Sequence, residues 1–348
     1  MLRTTWSIAL ILLLAGLPLR AEPLEDPEEL EMADEPDAAY YRWLEQRRLK
    51  CSDEGEPPDA PVEMELGGRR YRWSGASLEL LSDDPDGVLT LGVLGAVKDF
   101  SEDTRGALDA YLEEFQRQKA DAIVLLGDIA SIEYELTQVL LLCSRTGLPV
   151  LAVIGNTESR ASFNRAVLTA LKARPNVINL DFVRTVDLGP AVLVSLPGYR
   201  DRRFVHTKAG CTYGKHEGRR TAALVHAASK PVVLVAHGPP KGKGKRALDF
   251  AAGAGNVGDP LLRDLIREEK VPFGLFSHIL EAGGLAYDRG RKPVREDTPS
   301  GSLYLNVGSA NPLRWTLNTG KVSCGQAAVV RISGKTASYT WVRHECKE

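Results

Sequence analysis

The sequence predicts an α/β fold, a largely parallel sheet with helices packed on it. From residue 89 onward, short apolar runs alternate with segments whose apolar residues recur at helical spacing. Polar residues follow the ends of several of these runs, as expected where a sheet carries a binding site. The 348 residues, 43% hydrophobic and 26% charged, are typical of a globular protein. One large α/β domain fits this length as well as two smaller domains.

The first 21 residues are predicted to be a signal peptide. Arg3 precedes a dozen apolar residues from Trp6 to Leu17, and a cleavage site follows Ala21. This run is shorter than the roughly 20 residues that span a bilayer; a short N-terminal anchor is the alternative. Cleavage also removes Arg3 and Arg20 and changes the formal net charge from −2 to −4. We therefore expect an exported protein, periplasmic or extracellular, with no stable membrane span after cleavage.

Residues 22–61 are predicted to be an acidic leader and linker, mostly disordered. Residues 22–37 contain nine acids and three prolines. Such a segment buries too little apolar surface to offset the conformational entropy lost when the chain becomes ordered. Tyr40–Leu49 is predicted to be a short docking helix, and a second acidic stretch over 52–61 leads into the domain. The overall charge gives no field that would attract nucleic acid, so no nucleic-acid partner is expected.

The predicted domain spans residues 62–348 and begins with a hairpin. Residues 62–66 and 70–73 alternate between apolar and charged, and Gly67-Gly68 joins them. Strands are then predicted at 89–94, 122–126, 150–154, 177–183, 191–196, 231–236 and 272–276. Helices are predicted around 108–115, 131–143 and 163–171. From Leu303 onward, including 327–332 and 338–342, the chain is predicted to form strands.

Five cysteines match no zinc-binding spacing: Cys51, Cys143, Cys211, Cys324 and Cys346. Export permits disulfides. Cys143 lies in an apolar helical run and is predicted to be a buried free thiol. The other four can form two bridges, whose pairing the sequence does not determine.

Polar residues follow four of the predicted strands, and they are Asp128, Asn156, His237 and His278. Ligands of open α/β sheets bind at the carboxyl ends of the strands, so these side chains are expected to meet. Their nitrogen and oxygen donors suit manganese, iron or zinc. Taken singly, each has a structural explanation: a turn, a helix cap or a hydrogen-bonded core histidine. The joint occurrence favours a site for one divalent transition metal.

The segments around these residues resemble motifs of the calcineurin-like metallophosphoesterases. The closest match is the small-phosphoesterase branch, which has "GD", "GN", "HxPP" and "GHxHEA" in this order. The matching segments are Ala122–Asp128, Val153–Asn156, Val235–Pro240 and Ser277–Ala282, with weaker matches at Gly255–Asp259 and Asn306–Asn311. The resemblance covers roughly residues 88–332. It implies a layered β-sandwich flanked by helices and a metal-dependent hydrolase of phosphate esters.

The departures from this family concern one of its two metals. The first family motif, "DxH", is replaced by Ala96 and Lys98, and the second histidine of "GHxH" is Leu280. The resemblance assigns those three lost ligands to the first metal. It assigns Asp128, Asn156, His237 and His278 to the second, and all four are present. We interpret this as one coherent loss that leaves a single metal site.

Lys98 is predicted to compensate for the missing ion. Its amine can neutralise Asp128, although it can equally point to solvent or pair with Asp99. The predicted catalytic residues are Lys98, Asp128 and His237. Thr157 stands where many family members have a catalytic histidine, which the small-phosphoesterase branch often lacks as well. Glu158 and Asp249 are further candidates for proton transfer, or structural groups.

Two basic stretches are predicted to lie near the site. Lys241, Lys243, Lys245 and Arg246 follow His237, and Arg200, Arg202 and Arg203 follow the strand that ends near Leu196. These side chains can bind an anionic substrate. Alternatively, the lysines lie on a solvated loop and face water. The predicted function is hydrolysis of a small phosphomonoester or phosphodiester with one metal ion. The alternative is a pseudoenzyme that serves as a binding or scaffold protein, with an unknown protein partner.

Overall fold

A computed structural model describes residues 36–52, 60–82 and 86–346 of the chain. The predicted signal peptide and most of the acidic leader lie outside these residues. The six helices in the described part are α1 (Pro36–Glu45), α2 (Glu102–Arg117), α3 (Glu133–Ser144), α4 (Arg160–Ala173), α5 (Lys215–Ala227) and α6 (Pro260–Glu268). Short 3₁₀ turns occur at Arg202–Phe204 and Leu280–Ala282.

Nineteen strands are present in the same residues. The first ten are β1 (Val62–Leu66), β2 (Arg69–Ser74), β3 (Ser77–Leu80), β4 (Val88–Leu94), β5 (Ala122–Leu125), β6 (Val150–Ala152), β7 (Val177–Asn179), β8 (Thr185–Asp187), β9 (Val192–Leu196) and β10 (Val232–Ala236). The others are β11 (Phe250–Ala251), β12 (Gly255–Asn256), β13 (Phe273–Phe276), β14 (Leu285–Tyr287), β15 (Leu303–Asn306), β16 (Trp315–Thr316), β17 (Val322–Ser323), β18 (Gln326–Ser333) and β19 (Thr336–Arg343).

The strands form two large mixed sheets. One has nine strands in the order β1-β2-β3-β8-β9-β10-β13-β15-β14, and the other has six in the order β19-β18-β4-β5-β6-β7. Strands β9, β10, β13 and β15 are parallel, as are β4 to β7, and antiparallel strands extend both sheets. The expected layered α/β fold is confirmed. The strands that were predicted to be parallel are parallel, but they are divided between two sheets rather than joined in one, and antiparallel strands extend each sheet.

One hydrophobic cluster contains buried residues from both sheets. The central parallel strands are apolar along their whole length, since β4, β5 and β6 are covered on both faces. This continuous burial explains why their sequences read as apolar runs rather than as alternating patterns. The edge hairpin β1–β2 keeps a period of two because only one of its faces is buried.

Helix α1 belongs to the same core. Tyr40, Trp43 and Leu44 are buried, and the Trp43 ring meets Trp73 edge-on at a centroid distance of 5.4 Å. The Asn179 amide donates to the Tyr40 hydroxyl at 3.0 Å. The helix was expected at Tyr40–Leu49 and begins earlier, at Pro36. Well-packed structure therefore starts upstream of residue 62, the predicted beginning of the domain.

The cysteines pair as two disulfides, Cys51–Cys211 and Cys324–Cys346, and Cys143 is buried as a free thiol. The prediction for Cys143 is confirmed. No helix in the described ranges is both long and apolar enough to cross a membrane.

Helices α5 and α6 and strands β3, β8 and β14 were not anticipated. All five elements have at most three buried residues, so α5 and the three strands carry a weak apolar pattern, whereas α6 is amphipathic but only nine residues long. The strand predicted over 177–183 ends at Asn179, where the Asn179 side chain accepts from the Asp181 amide and starts a turn.

Candidate metal centre

The structure brings together the polar residues that follow β5, β6, β10 and β13. Asp128, His237 and His278 have ligand atoms within 4.8 Å of one another. The Asn156 side-chain oxygen lies 2.7 Å from His237 Nε2 and 2.9 Å from His278 Nδ1. These parallel strands end side by side within each sheet, which is why residues more than 100 positions apart meet.

Glycines allow this close approach. Gly127 has a φ of +77°, and a Cβ there would lie 2.8 Å from His237 Nδ1. A Cβ on Gly155 would lie 2.5 Å from Asp128 Oδ1. Any larger residue would push the carboxylate or the imidazole out of place. The glycines of the "GD" and "GN" motifs are therefore required by packing against the site itself.

The Asp128 carboxylate is fixed from two sides. Its Oδ1 accepts from the Asn156 amide at 3.1 Å, the Thr157 amide at 3.1 Å and the Thr157 hydroxyl at 3.0 Å. Its Oδ2 is ion-paired with the Lys98 ammonium. Asp128 itself has a φ of +53°, a left-handed conformation that aspartate tolerates better than most residues.

The tautomer of His237 follows from its hydrogen bond to a carbonyl. A carbonyl oxygen can only accept, so His237 Nδ1 donates to Leu126 O at 2.6 Å. In the neutral ring, Nε2 then has a lone pair and no proton. That lone pair faces the Asn156 oxygen at 2.7 Å and Asp128 Oδ1 at 3.2 Å. The Asn156 oxygen is held in this orientation because its Nδ2 donates to Phe204 O at 2.6 Å.

Three acceptor atoms, one each from Asp128, Asn156 and His237, thus lie close together. The Asp128 oxygen already accepts three hydrogen bonds, and the other two atoms can be satisfied either by a cation among the lone pairs or, in one tautomer of His278, by a proton on its Nδ1. His278 Nδ1, 3.1 Å from His237 Nε2, is positioned to be a fourth donor. The donor set of two imidazoles, a carboxylate and an amide fits a divalent transition metal.

Electrostatics favour the protonation states that such an ion needs. Burial lowers the pKa of His237, and burial followed by the neighbouring His237 lowers the pKa of His278 to about 3, so both rings are neutral near pH 7. Burial acts against ionisation of Asp128, but His237 and Lys98 act for it and hold its pKa below the usual range. Because His237 is neutral, we attribute most of that effect to Lys98.

The Lys98 side chain is directed into the site rather than to solvent. Its backbone has a φ of +77° and its amide donates to Asp128 O at 3.0 Å. The side chain is 32% exposed, so one side of the ammonium still faces water. Asp99, the other possible partner, instead accepts from Ser101, the N-cap residue of α2, and from Thr104 in its first turn. The Lys98 amine therefore occupies the side of Asp128 opposite the histidines.

Ala96 and Leu280, the other two residues that depart from the family motifs, are apolar and packed within the fold. Ala96 is fully buried, and its carbonyl accepts from the Ser309 hydroxyl at 2.8 Å. Leu280 lines a small cavity together with Leu313, Trp315 and Leu317 of the segment that carries β16. A histidine at 280 would have to leave these apolar neighbours to reach the site.

Two residues of the site, Tyr199 and Phe204, lie outside the predicted set, and Glu158 was predicted only as a candidate for proton transfer or as a structural group. The Tyr199 ring is packed on His278 with centroids 4.3 Å apart, and Tyr199 is buried. Phe204 contributes only its carbonyl, to Asn156. Glu158 is completely buried and accepts from the Ile129 and Gly155 amides, and burial followed by the Asp128 charge raises its pKa to about 7. Tyr199 lies just after the end of β9. The candidate metal ligands were predicted because they follow strand ends, and the same criterion also selects Tyr199.

Asp249 and Thr157 have structural partners. Asp249 is fully buried and accepts from the Gly258 amide at 2.9 Å and from Asn256 at 2.8 Å, which ties the loop after β10 to β12. Thr157 hydrogen-bonds Asp128 directly, as described above. Neither residue is positioned as a free proton carrier in this arrangement.

A cavity of about 300 Å³ lies next to the metal centre. Tyr199, Phe204 and Gly238 line it on the side of the histidines, and Arg200 and Lys241 add positive charge. Arg200 is paired with Asp259 at 3.3 Å, whereas Arg202 and Arg203 are held by the carbonyl of Thr207 and by Asp201. Of the two basic stretches, only Arg200, Arg203 and Lys241 reach this cavity.

Solved structures share the fold of this chain. One matches with a TM-score of 0.55 and 13% identity, over 74% of this chain and 100% of its own. A dimetal phosphatase from Danio rerio matches with a TM-score of 0.46 and 13% identity, over 75% of this chain and 100% of its own. Purple acid phosphatase PPD1 from yellow lupin seeds matches with a TM-score of 0.48 and 9% identity, over 79% and 54%. At 13% identity, the first of these likenesses shows the fold alone. No protein family and no curated protein matches this sequence.

Proposed function

We propose that this chain, which has the fold of the calcineurin-like metallophosphoesterases, is an exported phosphohydrolase that works with one divalent metal ion. The observation that carries the proposal is the cluster of acceptor atoms from Asp128, Asn156 and His237, with His278 beside it. This cluster is buried and its imidazoles are neutral, so its two ring nitrogens, carboxylate and amide oxygen are available as ligands of one cation. The two disulfides agree with export, since such bonds persist in oxidising compartments.

The proposed roles of the residues follow from their positions. Asp128, Asn156, His237 and His278 hold the ion, which when bound polarises a phosphoryl oxygen and lowers the pKa of a water molecule. Lys98 lies on the other side of Asp128 with one face open to solvent. Its ammonium stabilises negative charge that develops on the phosphoryl oxygens in the transition state. Tyr199 packs on His278 and keeps the imidazole oriented and screened from water.

The substrate is proposed to be a small phosphomonoester or phosphodiester. The adjacent cavity of about 300 Å³ is lined by aromatic rings and by Lys241, which suits a compact ester with one anionic group. Its size argues against a macromolecular substrate held entirely inside it.

Metal content and activity on an aryl phosphate test the proposal together. Protein dialysed against Mn²⁺ or Zn²⁺ is expected to hold one ion per chain and to hydrolyse p-nitrophenyl phosphate. His237→Ala should lower both the metal content and the activity by at least about 100-fold. His216→Ala is a matched control, because His216 is exposed and pairs only with Glu217. Full activity in His237→Ala would refute the assignment.

The pseudoenzyme alternative has one observation in its favour. Lys98 already neutralises Asp128, so the carboxylate is paired without any ion. In that case the chain would bind no metal, and mutation of His278 would leave its metal content at zero. One ion per chain without any phosphatase activity on monoesters or diesters would mean that the metal is structural.

A further inference from the structure

A second cavity, which we call the basic cavity, lies on the far side of the loop that follows His237. Its volume is about 340 Å³, and it is formed by the loop 240–248, helix α6, the turn after β14 and the end of β15. Seven lysine and arginine side chains line it, against a single carboxylate, Asp288. Such an excess of one sign around a cleft that is partly open to solvent creates a positive potential.

Four of these cations have no carboxylate partner. Within the described ranges, no ion pair is found for Lys241, Lys243, Arg246 or Arg291. By contrast, Arg263 is paired with Asp264 at 2.9 Å, and Arg289 donates to the carbonyls of Lys270 and Val271. The lone carboxylate is also engaged, since Asp288 accepts from the Lys292 amide at 2.8 Å. The positive charge of the cavity is therefore not compensated from within.

The loop that carries three of the four cations has a defined conformation. Asn256 accepts from the Gly244 amide at 2.8 Å and donates to the Gly244 carbonyl at 3.2 Å, which closes the loop onto β12. The Lys241 amide donates to Asp259 O at 2.9 Å. The Lys241, Lys243 and Arg246 side chains are exposed, so they border the cavity on its solvent side, on a loop of defined backbone conformation.

The floor of the cavity is apolar. Leu248, Ile266 and Tyr304 are buried, and the Tyr304 hydroxyl is already bonded to Val271 O at 2.7 Å, so its ring is what faces the cavity. Tyr287 pairs with Tyr304 across β14 and β15 and adds a second, partly exposed ring. An inorganic anion has no apolar group that could pack against these side chains.

We propose that the basic cavity binds a small organic anion that carries two or more negative charges on an aromatic body, with nucleoside diphosphates as representative ligands. Phosphate groups meet the unpaired guanidinium and ammonium groups of Lys241, Lys243, Arg246 and Arg291. The ring system lies on Tyr287, Ile266 and Leu248. The volume of the cavity accommodates a ligand of that size. The proposal does not depend on metal binding or on hydrolysis at the metal centre.

Calorimetric titration of the full chain in EDTA tests this site without the metal. The probes are ADP, adenosine and pyrophosphate. ADP is expected to bind with a dissociation constant on the order of 10 µM, and adenosine and pyrophosphate at least about tenfold more weakly. Raising the ionic strength from about 0.05 M to about 0.5 M should weaken ADP binding about tenfold. Equal binding of ADP and pyrophosphate would overturn the assignment of an organic ligand.

Variants locate the site. Arg246→Gln combined with Arg291→Gln should lower ADP affinity at least about tenfold. Lys321→Gln combined with Lys335→Gln removes the same charge at exposed positions outside the cavity and should change affinity less than about twofold. His237→Ala should bind ADP as the unmodified chain does. Loss of binding in His237→Ala, or full affinity in the double arginine variant with an unchanged melting temperature, would refute the proposal.

Discussion

Lys98 and Asp128 form an ion pair at the centre of the candidate site, and both have left-handed backbone conformations. Asp128 is buried, whereas Lys98 is partly exposed, so the lysine covers the carboxylate from the solvent side. The resemblance to the metallophosphoesterase motifs implies that the first metal of that family would lie in this region. In this chain a monovalent cation on a flexible stem pairs with the same carboxylate.

Replacing Lys98 with methionine should make folding depend on metal. The uncharged side chain leaves Asp128 buried without its cation, which costs about 1–3 kcal/mol of unfolding free energy after allowance for the exposure of the lysine. Urea unfolding in EDTA measures this loss. Saturating Mn²⁺ should recover at least about half of it, because the ion supplies the missing positive charge. An equal loss with and without Mn²⁺ would show that the ion does not contact Asp128.

The same variant separates charge stabilisation from substrate binding. If the ammonium acts on the transition state, Lys98→Met should lower kcat about 10–100-fold with little change in KM, and Lys98→Arg should retain more of the activity. Steady-state kinetics with an aryl phosphate provide the measurement. A change in KM alone would assign Lys98 to binding.

Restoring the first-metal ligands should add a second ion. The triple change Ala96→Asp, Lys98→His and Leu280→His supplies the three missing donors and removes the competing ammonium. Elemental analysis is expected to rise from one ion to two per chain, with faster turnover. Adding Trp315→Ala should help, because Trp315 lies beside Leu280 in an apolar cavity. A metal content that remains at one in both forms would contradict the alignment of the first motif.

Helix α1 is expected to stabilise the domain strongly. Trp43→Ala removes a buried ring that meets Trp73 at 5.4 Å and Phe182 at 6.0 Å, and should cost about 3–5 kcal/mol in urea unfolding. Glu45→Ala, on the exposed side of the same helix, should stay within about 0.5 kcal/mol. Similar values for the two variants would mean that α1 does not dock in solution.

Thiol titration should find one protected cysteine. Burial raises the pKa of Cys143 to about 12, so the reactive thiolate is scarce near pH 8 and reagents cannot reach it. An aromatic disulfide reagent should therefore detect almost no thiol in the native protein, one per chain in denaturant, and five after reduction in denaturant, in agreement with two disulfides. Rapid reaction of the native protein would contradict the burial.

The candidate ligand residues could be identified from the sequence because each follows an apolar run that forms a strand. Gly127-Asp128 and Gly155-Asn156 are local signals, since the glycines permit the close packing at the strand ends. The strand rule placed Asp128, Asn156, His237 and His278 at one edge without any knowledge of the sheet order. Tyr199 satisfies the same rule, but a tyrosine is not a usual ligand and its contact with His278 depends on tertiary packing.

The amino-acid sequence by itself determined the strand and helix alternation, the four donor residues and the thiol of Cys143, because these depend on local periodicity and burial. Tertiary structure alone decided the pairing of the cysteines, the docking of α1 and the direction of the Lys98 side chain. It also decided that cations from the loop 240–248, α6 and the turn after β14 surround one cavity. Each of these depends on contacts between residues distant along the chain, and no local pattern records which distant segments meet.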